Sequence, residues 1–231
     1  MILERLKGGL VVSCQAHFDH PFNRPSYITA LAQCAELGGA VAIRANGVDH
    51  ISAIKNGTNL PVIGIYKEHL YDSRFFITPT LEHAKAIVKA GANIVALEAT
   101  FQNQPNSDVL RELIKSIKKD LNIPVMADIS TFDEGLRAWE IGVDLVGTTL
   151  SGYTDISKSR STPDFELVSR LSEQGVRTVC EGHIKSPKQA RKAIDCGAFF
   201  AVVGTAITDP LAITTWYREA LTMNKDGEVI E

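Results

Sequence analysis

Cysteine is scarce in this chain: four residues, Cys14, Cys34, Cys180 and Cys196, scattered and without a C-x-x-C pair. That excludes a disulfide framework and a thiolate-based zinc site, and it leaves buried free thiols as the expectation. Long apolar runs are missing too. No stretch approaches the length of a membrane span, and the opening MILERLKGGLVVSCQ has too short an apolar run for a signal peptide and carries Glu4. The expected location is cytoplasmic. Runs of Lys and Arg are also lacking, and the net charge is −3 with a pI of about 6.1, so neither nucleic acid nor a membrane surface is the expected partner. A small molecule is. His17 and His20 flank Asp19 in AHFDHP, but with no second cluster they read as a polar loop after a strand, and no metal is expected.

What is present is enough apolar material for one core. The 231 residues are 45% hydrophobic and 22% charged, which suits a single domain over 1–231 with a frayed tail at 223–231. Val- and Ile-rich runs alternate with amphipathic stretches throughout, the pattern of βα units around a parallel sheet covered on both faces. Eight strands are predicted: LVVSCQ (10–15), AVAIRA (40–45), PVIGIYK (61–67), NIVALEA (93–99), PVMADI (124–129), DLVGTT (144–149), TVCEG (178–182) and FFAVVGT (199–205). Clear helices are expected after Thr80, after Phe132 and after Ser186. Four helices end in small-residue punctuation at Gly38, Gly91, Gly142 and Gly197, each able to take the left-handed cap conformation. Eight such units in a chain of this length fit a closed (β/α)₈ barrel, a TIM barrel of the phosphate-binding type, better than an open doubly wound sheet.

In such a barrel the functional groups come from the last residues of different strands and the loops just after them. The strand ends here present Gln15, Arg44, Lys67, Glu98, Asp128, Thr148 and Thr149, Glu181, and the Gly204-Thr205 turn. Five of these eight ends carry an ionisable side chain directly after apolar residues, where burial is costly unless charges pair or work on a ligand. Lys67 is expected to close the third strand, with desolvation and Arg44 lowering its pKa toward that of a general base. Glu181 is the second candidate for proton transfer, or the partner that tunes Lys67. Asp128 either serves a ligand or helps the helix cap at Ser130 and Thr131. Arg44 can fork onto an oxygen-bearing substrate group, and Gln15 can meet an amide or hydroxyl. The last two strand ends, in EGHIKS and VVGTAITDP, place Gly182 and Gly204 where this fold commonly holds phosphate.

The segments GGLVVSCQ, AVAIRANG, PVIGIYK, FITPT, MADIST, GTTLSGYT, EGHIKSP and VVGTAIT span nearly the whole chain. Together they resemble the bacterial N-acylglucosamine-6-phosphate 2-epimerases, also called N-acetylmannosamine-6-phosphate 2-epimerases, of sialic acid breakdown. The resemblance implies reversible inversion at carbon 2 of N-acetylmannosamine 6-phosphate to give N-acetylglucosamine 6-phosphate, with no cofactor. It implies Lys67 and Glu181 as the acid/base pair. Gln15, Arg44, Asp128, Thr148, Tyr153, Gly182, His183, Gly204 and Thr205 would form the substrate-binding set. A homodimer is left open.

The chain departs from that family at three places. His183 stands where the family has Arg after Glu-Gly, and Asp209 stands where it has Arg after Ala-Ile-Thr. The loop after the fourth strand, ordinarily basic and opening Asp-Ala-Thr, reads EATFQNQPN. Asp209 either faces the ligand or caps a final helix beginning at Pro210. Two other readings also stay open: Lys67 as a Schiff-base nucleophile in an aldolase or synthase, and a non-catalytic sugar-phosphate binding barrel.

Overall fold

The computed structural model describes residues 2–69, 75–157 and 159–222, so the expected tail 223–231 lies outside the described residues. After a 3₁₀ turn at Leu3–Arg5 come β1 (Leu10–Cys14), α1 (Pro25–Leu37), β2 (Ala42–Asn46), α2 (Val48–Gly57) and β3 (Val62–Ile65). A short hairpin follows, β4 (Lys67–His69) with β5 (Phe75–Ile77), and then α3 (Leu81–Lys89), β6 (Ile94–Glu98) and α4 (Ser107–Leu121). The second half runs β7 (Val125–Asp128), α5 (Phe132–Ile141), β8 (Leu145–Gly147), α6 (Phe165–Glu173), β9 (Thr178–Glu181) and α7 (Pro187–Asp195). It ends with β10 (Phe200–Val203), α8 (Thr205–Thr208) and α9 (Pro210–Thr222).

Eight of these strands close into a parallel barrel in the order β1-β10-β9-β8-β7-β6-β3-β2, which is the predicted (β/α)₈ architecture. All eight predicted strands are present. The barrel follows from strand parity, because successive side chains point to opposite faces. One set, including Val11, Ala42, Ile63, Ile65, Ile94, Met126, Leu145, Val179 and Phe200, fills the barrel, with Leu6 packed against it. The alternate set, including Val12, Ile43, Val95, Leu97, Val125 and Val146, faces the helices. Among the described residues no helix is long and apolar enough to cross a membrane.

The predicted helix starts are in place. Thr80, Thr131 and Ser186 each accept a hydrogen bond from a backbone N–H in the first turn, and Thr131 forms a full capping box with Glu134. Buried Glu134 does more: it accepts from Phe101 N at 2.6 Å, Ser130 N at 2.8 Å and Thr131 N at 2.9 Å, tying the loop after β6 to the loop after β7.

Three expectations need correction. At the end of α1 the left-handed residue is Gly39 (φ 86°), whereas Gly38 keeps a right-handed φ of −77°, because the helix runs one residue further before the chain reverses. Two cysteines are not buried: Cys34 is exposed and Cys196 only half-buried. Cys14 and Cys180 are buried, and burial pushes each thiol up to about 12, so neither is a nucleophile near neutrality. Finally, Lys67 does not close a barrel strand. The barrel strand stops at Ile65, and Lys67 opens β4, pairing antiparallel with Ile77.

Candidate active site

Strand parity carries the same inward set upward to the barrel mouth. Continuing it from the core leads to Ser13 on β1 and Gln15 just after it, Arg44 on β2, Lys67 after β3, Glu98 on β6, Asp128 on β7, Thr149 after β8 and Glu181 on β9. Arg44 lies at the centre and is only 1% exposed. Its Nη1 and Nη2 donate to the two oxygens of Asp128 at 3.1 and 2.6 Å, and Nη1 also lies 3.0 Å from Glu181 Oε2. A forked guanidinium bridging two carboxylates keeps three buried charges from standing alone. Thr149 Oγ1 lies within donating distance of Asp128 Oδ1 (2.6 Å) and Glu181 Oε2 (3.1 Å). Gly147, the inward position of β8, makes room for this cluster: a Cβ there would run into Met126 Cε and sit 3.3 Å from Asp128 Oδ1.

Protonation follows from this packing. Burial alone would lower the pKa of Arg44, but the carboxylates of Asp128 and Glu181 more than offset it, and the guanidinium stays charged. Burial pushes Glu181 up to about 7 against the opposing pull of Arg44, with Asp128 adding repulsion. Lys67 moves the other way. Burial lowers its pKa and Arg44 lowers it further, while Glu181 and Asp128 partly oppose the change.

Lys67 is held by its backbone. Its N–H donates to Asn46 Oδ1 at 2.9 Å, and the hairpin that begins with it is fastened to β6 through Thr78, which adopts a left-handed φ of 50°. Thr78 Oγ1 donates to Ala96 O at 2.7 Å and accepts from Tyr66 N at 3.0 Å. Glu98 lies beside the hairpin. Its Oε1 accepts from Thr100 Oγ1 at 2.6 Å and Asn103 Nδ2 at 2.8 Å, and burial raises its pKa.

These groups surround a cavity of about 470 Å³. Of the residues singled out from sequence, Gln15, Arg44, Lys67, Tyr153, Glu181, Gly182, Gly204 and Thr205 line it. Gln15 Nε2 donates to Ser13 Oγ at 2.8 Å, and its Oε1 is an acceptor without a partner among the described residues. Three of the expected substrate contacts lie elsewhere. Asp128 is 0% exposed and sits behind Arg44 rather than at the cavity wall. Thr148 has outward parity, and its Oγ1 is spent on the backbone of Glu181, donating to the carbonyl at 2.9 Å. His183 (φ 57°) stacks on Tyr153 with ring centroids 4.7 Å apart, outside the lining. Glu98 and Thr149, strand-end candidates left out of the expected substrate-binding set, line the cavity as well, and so does Asp209. Ser13, His17, Gln102, Asn103 and Thr208 line it without having been singled out as ligand contacts, and of these parity alone would have found Ser13. Asp209 fulfils both of its alternatives: it lines the cavity, and its Oδ1 accepts from Ala212 N at 2.9 Å in the first turn of α9. His17, Asp19 and His20 make no metal-holding group among the described residues.

The fold and this mouth define a (β/α)₈-barrel enzyme with a buried cluster of coupled ionisable side chains at the carboxyl ends of its strands. The chain belongs to the family described as "Putative N-acetylmannosamine-6-phosphate epimerase", whose profile matches residues 28–223. It is 46% identical over 215 residues to a relative of that name from Caldanaerobacter subterraneus, covering 92% of this chain and 91% of the relative. To a relative from Cutibacterium acnes it is 45% identical over 223 residues, covering 95% and 96% of the two chains. The solved N-acetylmannosamine-6-phosphate 2-epimerase from Clostridium perfringens superposes with a TM-score of 0.89 at 41% identity, covering 95% of this chain and 96% of that one.

Proposed function

We propose that this protein is a cytoplasmic enzyme of amino-sugar catabolism, one barrel over residues 1–231. It inverts carbon 2 of N-acetylmannosamine 6-phosphate to give N-acetylglucosamine 6-phosphate. The observation that carries this reading is that Lys67 and Glu181 face one cavity around the buried Arg44–Asp128 pair, where burial moves the pKa of Lys67 downward and that of Glu181 upward. β3, which leads to Lys67, lies diametrically across the barrel from β9, which carries Glu181. A sugar between them meets one proton-transfer group on each face.

In the open-chain sugar the proton on carbon 2 is acidic because its loss gives an enolate conjugated with the aldehyde. Neutral Lys67 takes the proton from one face and protonated Glu181 returns one to the other. The ammonium formed on Lys67 and the carboxylate left on Glu181 are then the starting state for the reverse reaction. Arg44 steadies that carboxylate while holding both oxygens of Asp128 beneath. Gln15 offers an acceptor for the N-acyl N–H. Proton NMR in deuterated water is expected to show deuterium entering carbon 2 as the two sugars interconvert. Interconversion with the original proton retained would remove exchangeable acid/base groups from the mechanism, and absence of turnover would remove the epimerase reading.

Both directions need the Lys67–Glu181 pair to hold one proton, which sets the pH dependence. Below about 7 the pair holds two protons, and at high pH it holds none. The expected kcat/KM profile is therefore a bell, rising through about pH 7 and falling at a pH below the ordinary lysine value of about 10.4. Glu181→Gln should abolish the acid limb in whatever activity remains; an acid limb unchanged in that variant would assign it to another group.

A further inference from the structure

Barrels of this class commonly hold phosphate with the loops after the last two strands and a neighbouring helix N-terminus. Here those loops follow β9 and β10, and they contribute Gly182, Gly204, Thr205, Thr208 and Asp209 to the cavity wall. The charge at this end is negative. Asp209 is fixed by the bond from Ala212 N and by His20 Nε2, 3.3 Å from Oδ1. His20 Nδ1 accepts from Phe22 N at 3.0 Å, which leaves the ring hydrogen on Nε2, facing Asp209. Asp209 Oδ2 makes no hydrogen bond among the described residues.

Positive charge near this end is engaged elsewhere. Among the described lining residues the Lys and Arg side chains are Arg44 and Lys67, and both terminal nitrogens of Arg44 bind carboxylates. On the loop after β9, Lys185 lies over the Trp216 ring at 5.1 Å, and on the loop after β8, Arg160 pairs with Asp164 at 3.0 Å. A phosphate dianion placed between Gly182 and Gly204 meets a fixed carboxylate. A hydroxyl at the same point finds in Asp209 a charged hydrogen-bond acceptor.

We infer a second activity: the protein also inverts carbon 2 of the unphosphorylated N-acyl hexosamine, with Asp209 accepting the hydroxyl that replaces the phosphate. This rests on the carbon 2 epimerase reading, and the same exchange assay tests the two separately. Wild-type protein and Asp209→Asn are compared on N-acetylmannosamine and on its 6-phosphate, by deuterium entry at carbon 2. Asparagine caps a helix as well as aspartate does, so the variant keeps the start of α9, and its thermal melt verifies that. The expected result is exchange into the unphosphorylated sugar with kcat/KM within about 100-fold of that for the 6-phosphate. In Asp209→Asn the ratio should move at least about tenfold toward the 6-phosphate, since the variant removes a like charge from beside the dianion. Exchange into the 6-phosphate with none into the unphosphorylated sugar overturns this inference and leaves the epimerase reading standing. Exchange into neither sugar overturns both, and an unchanged ratio in Asp209→Asn overturns the role given to that residue.

Discussion

Replacing Lys67 by alanine is expected to lower turnover about 10²- to 10⁴-fold, the range for loss of a positioned general acid or base, with the melting temperature unchanged. The two halves of that expectation have separate structural grounds. Activity falls because the Lys67 side chain lines the cavity and its pKa is brought down from the ordinary lysine value, chiefly by burial and then by Arg44, which favours the neutral amine a base must be. The fold persists because Lys67 is anchored by backbone. Its N–H donates to Asn46 Oδ1, and its pairing with Ile77 survives truncation at Cβ. Single-turnover measurements with N-acetylmannosamine 6-phosphate, beside a thermal melt, read both halves. Turnover near the wild-type level in a folded variant would move the proton transfer to another group.

The second large effect concerns stability. Arg44→Met removes the cation from between Asp128 and Glu181, and breaking a buried pair by deleting one partner costs about 3–5 kcal/mol. For a chain of this length each kcal/mol corresponds to roughly 2–4 °C, so the melting temperature should drop by about 6–20 °C. The deficit has a pH sign. Glu181 already has a folded pKa above its ordinary value, and Arg44 is the main force holding it down. Without Arg44 it rises further. A carboxyl with a raised folded pKa favours the fold below its unfolded pKa and loses that contribution as pH rises through the folded value. The variant should therefore lag wild type less at pH 5 than at pH 8, and Arg44→Met with Asp128→Leu should recover part of the loss. Melts that match wild type within about 1 kcal/mol at both pH values would mean that the pair is not holding the barrel mouth together.

The architecture was legible in the sequence because each barrel strand is short, apolar on both faces and followed by turn or cap residues. Ile94–Glu98, which reads IVALE, is buried at every position, as a strand between a barrel core and a helix layer must be. The site was legible to the extent that it sits on those strands. Arg44, Asp128 and Glu181 stand out as charges ending apolar runs. Which of them faces the ligand and which supports another was not readable, since Arg44 and Asp128 meet across 84 residues of chain and nothing local marks the pair. The choice of Thr148 over Thr149 was an error of parity at a strand end, where a one-residue shift turns the side chain to the other face. The hairpin of β4 and β5 escaped because three-residue strands leave too short a pattern to show an alternation. Asp209 was ambiguous because one aspartate carries two signals, capping α9 and lining the cavity.

The hydroxyl of Thr149 gives the buried cluster a direction. It lies within bonding distance of both Asp128 Oδ1 and Glu181 Oε2, yet it carries a single hydrogen. While Glu181 is ionised, the two carboxylates compete for that hydrogen. Once Glu181 is protonated it becomes a donor itself, and the bonds can align as a one-way chain from Glu181 through Thr149 to Asp128. Occupancy of one site on the cavity wall is thereby written into the polarity of a contact beneath the floor. Asp128, outside the cavity lining, thus registers through the orientation of one O–H bond whether Glu181 carries its proton.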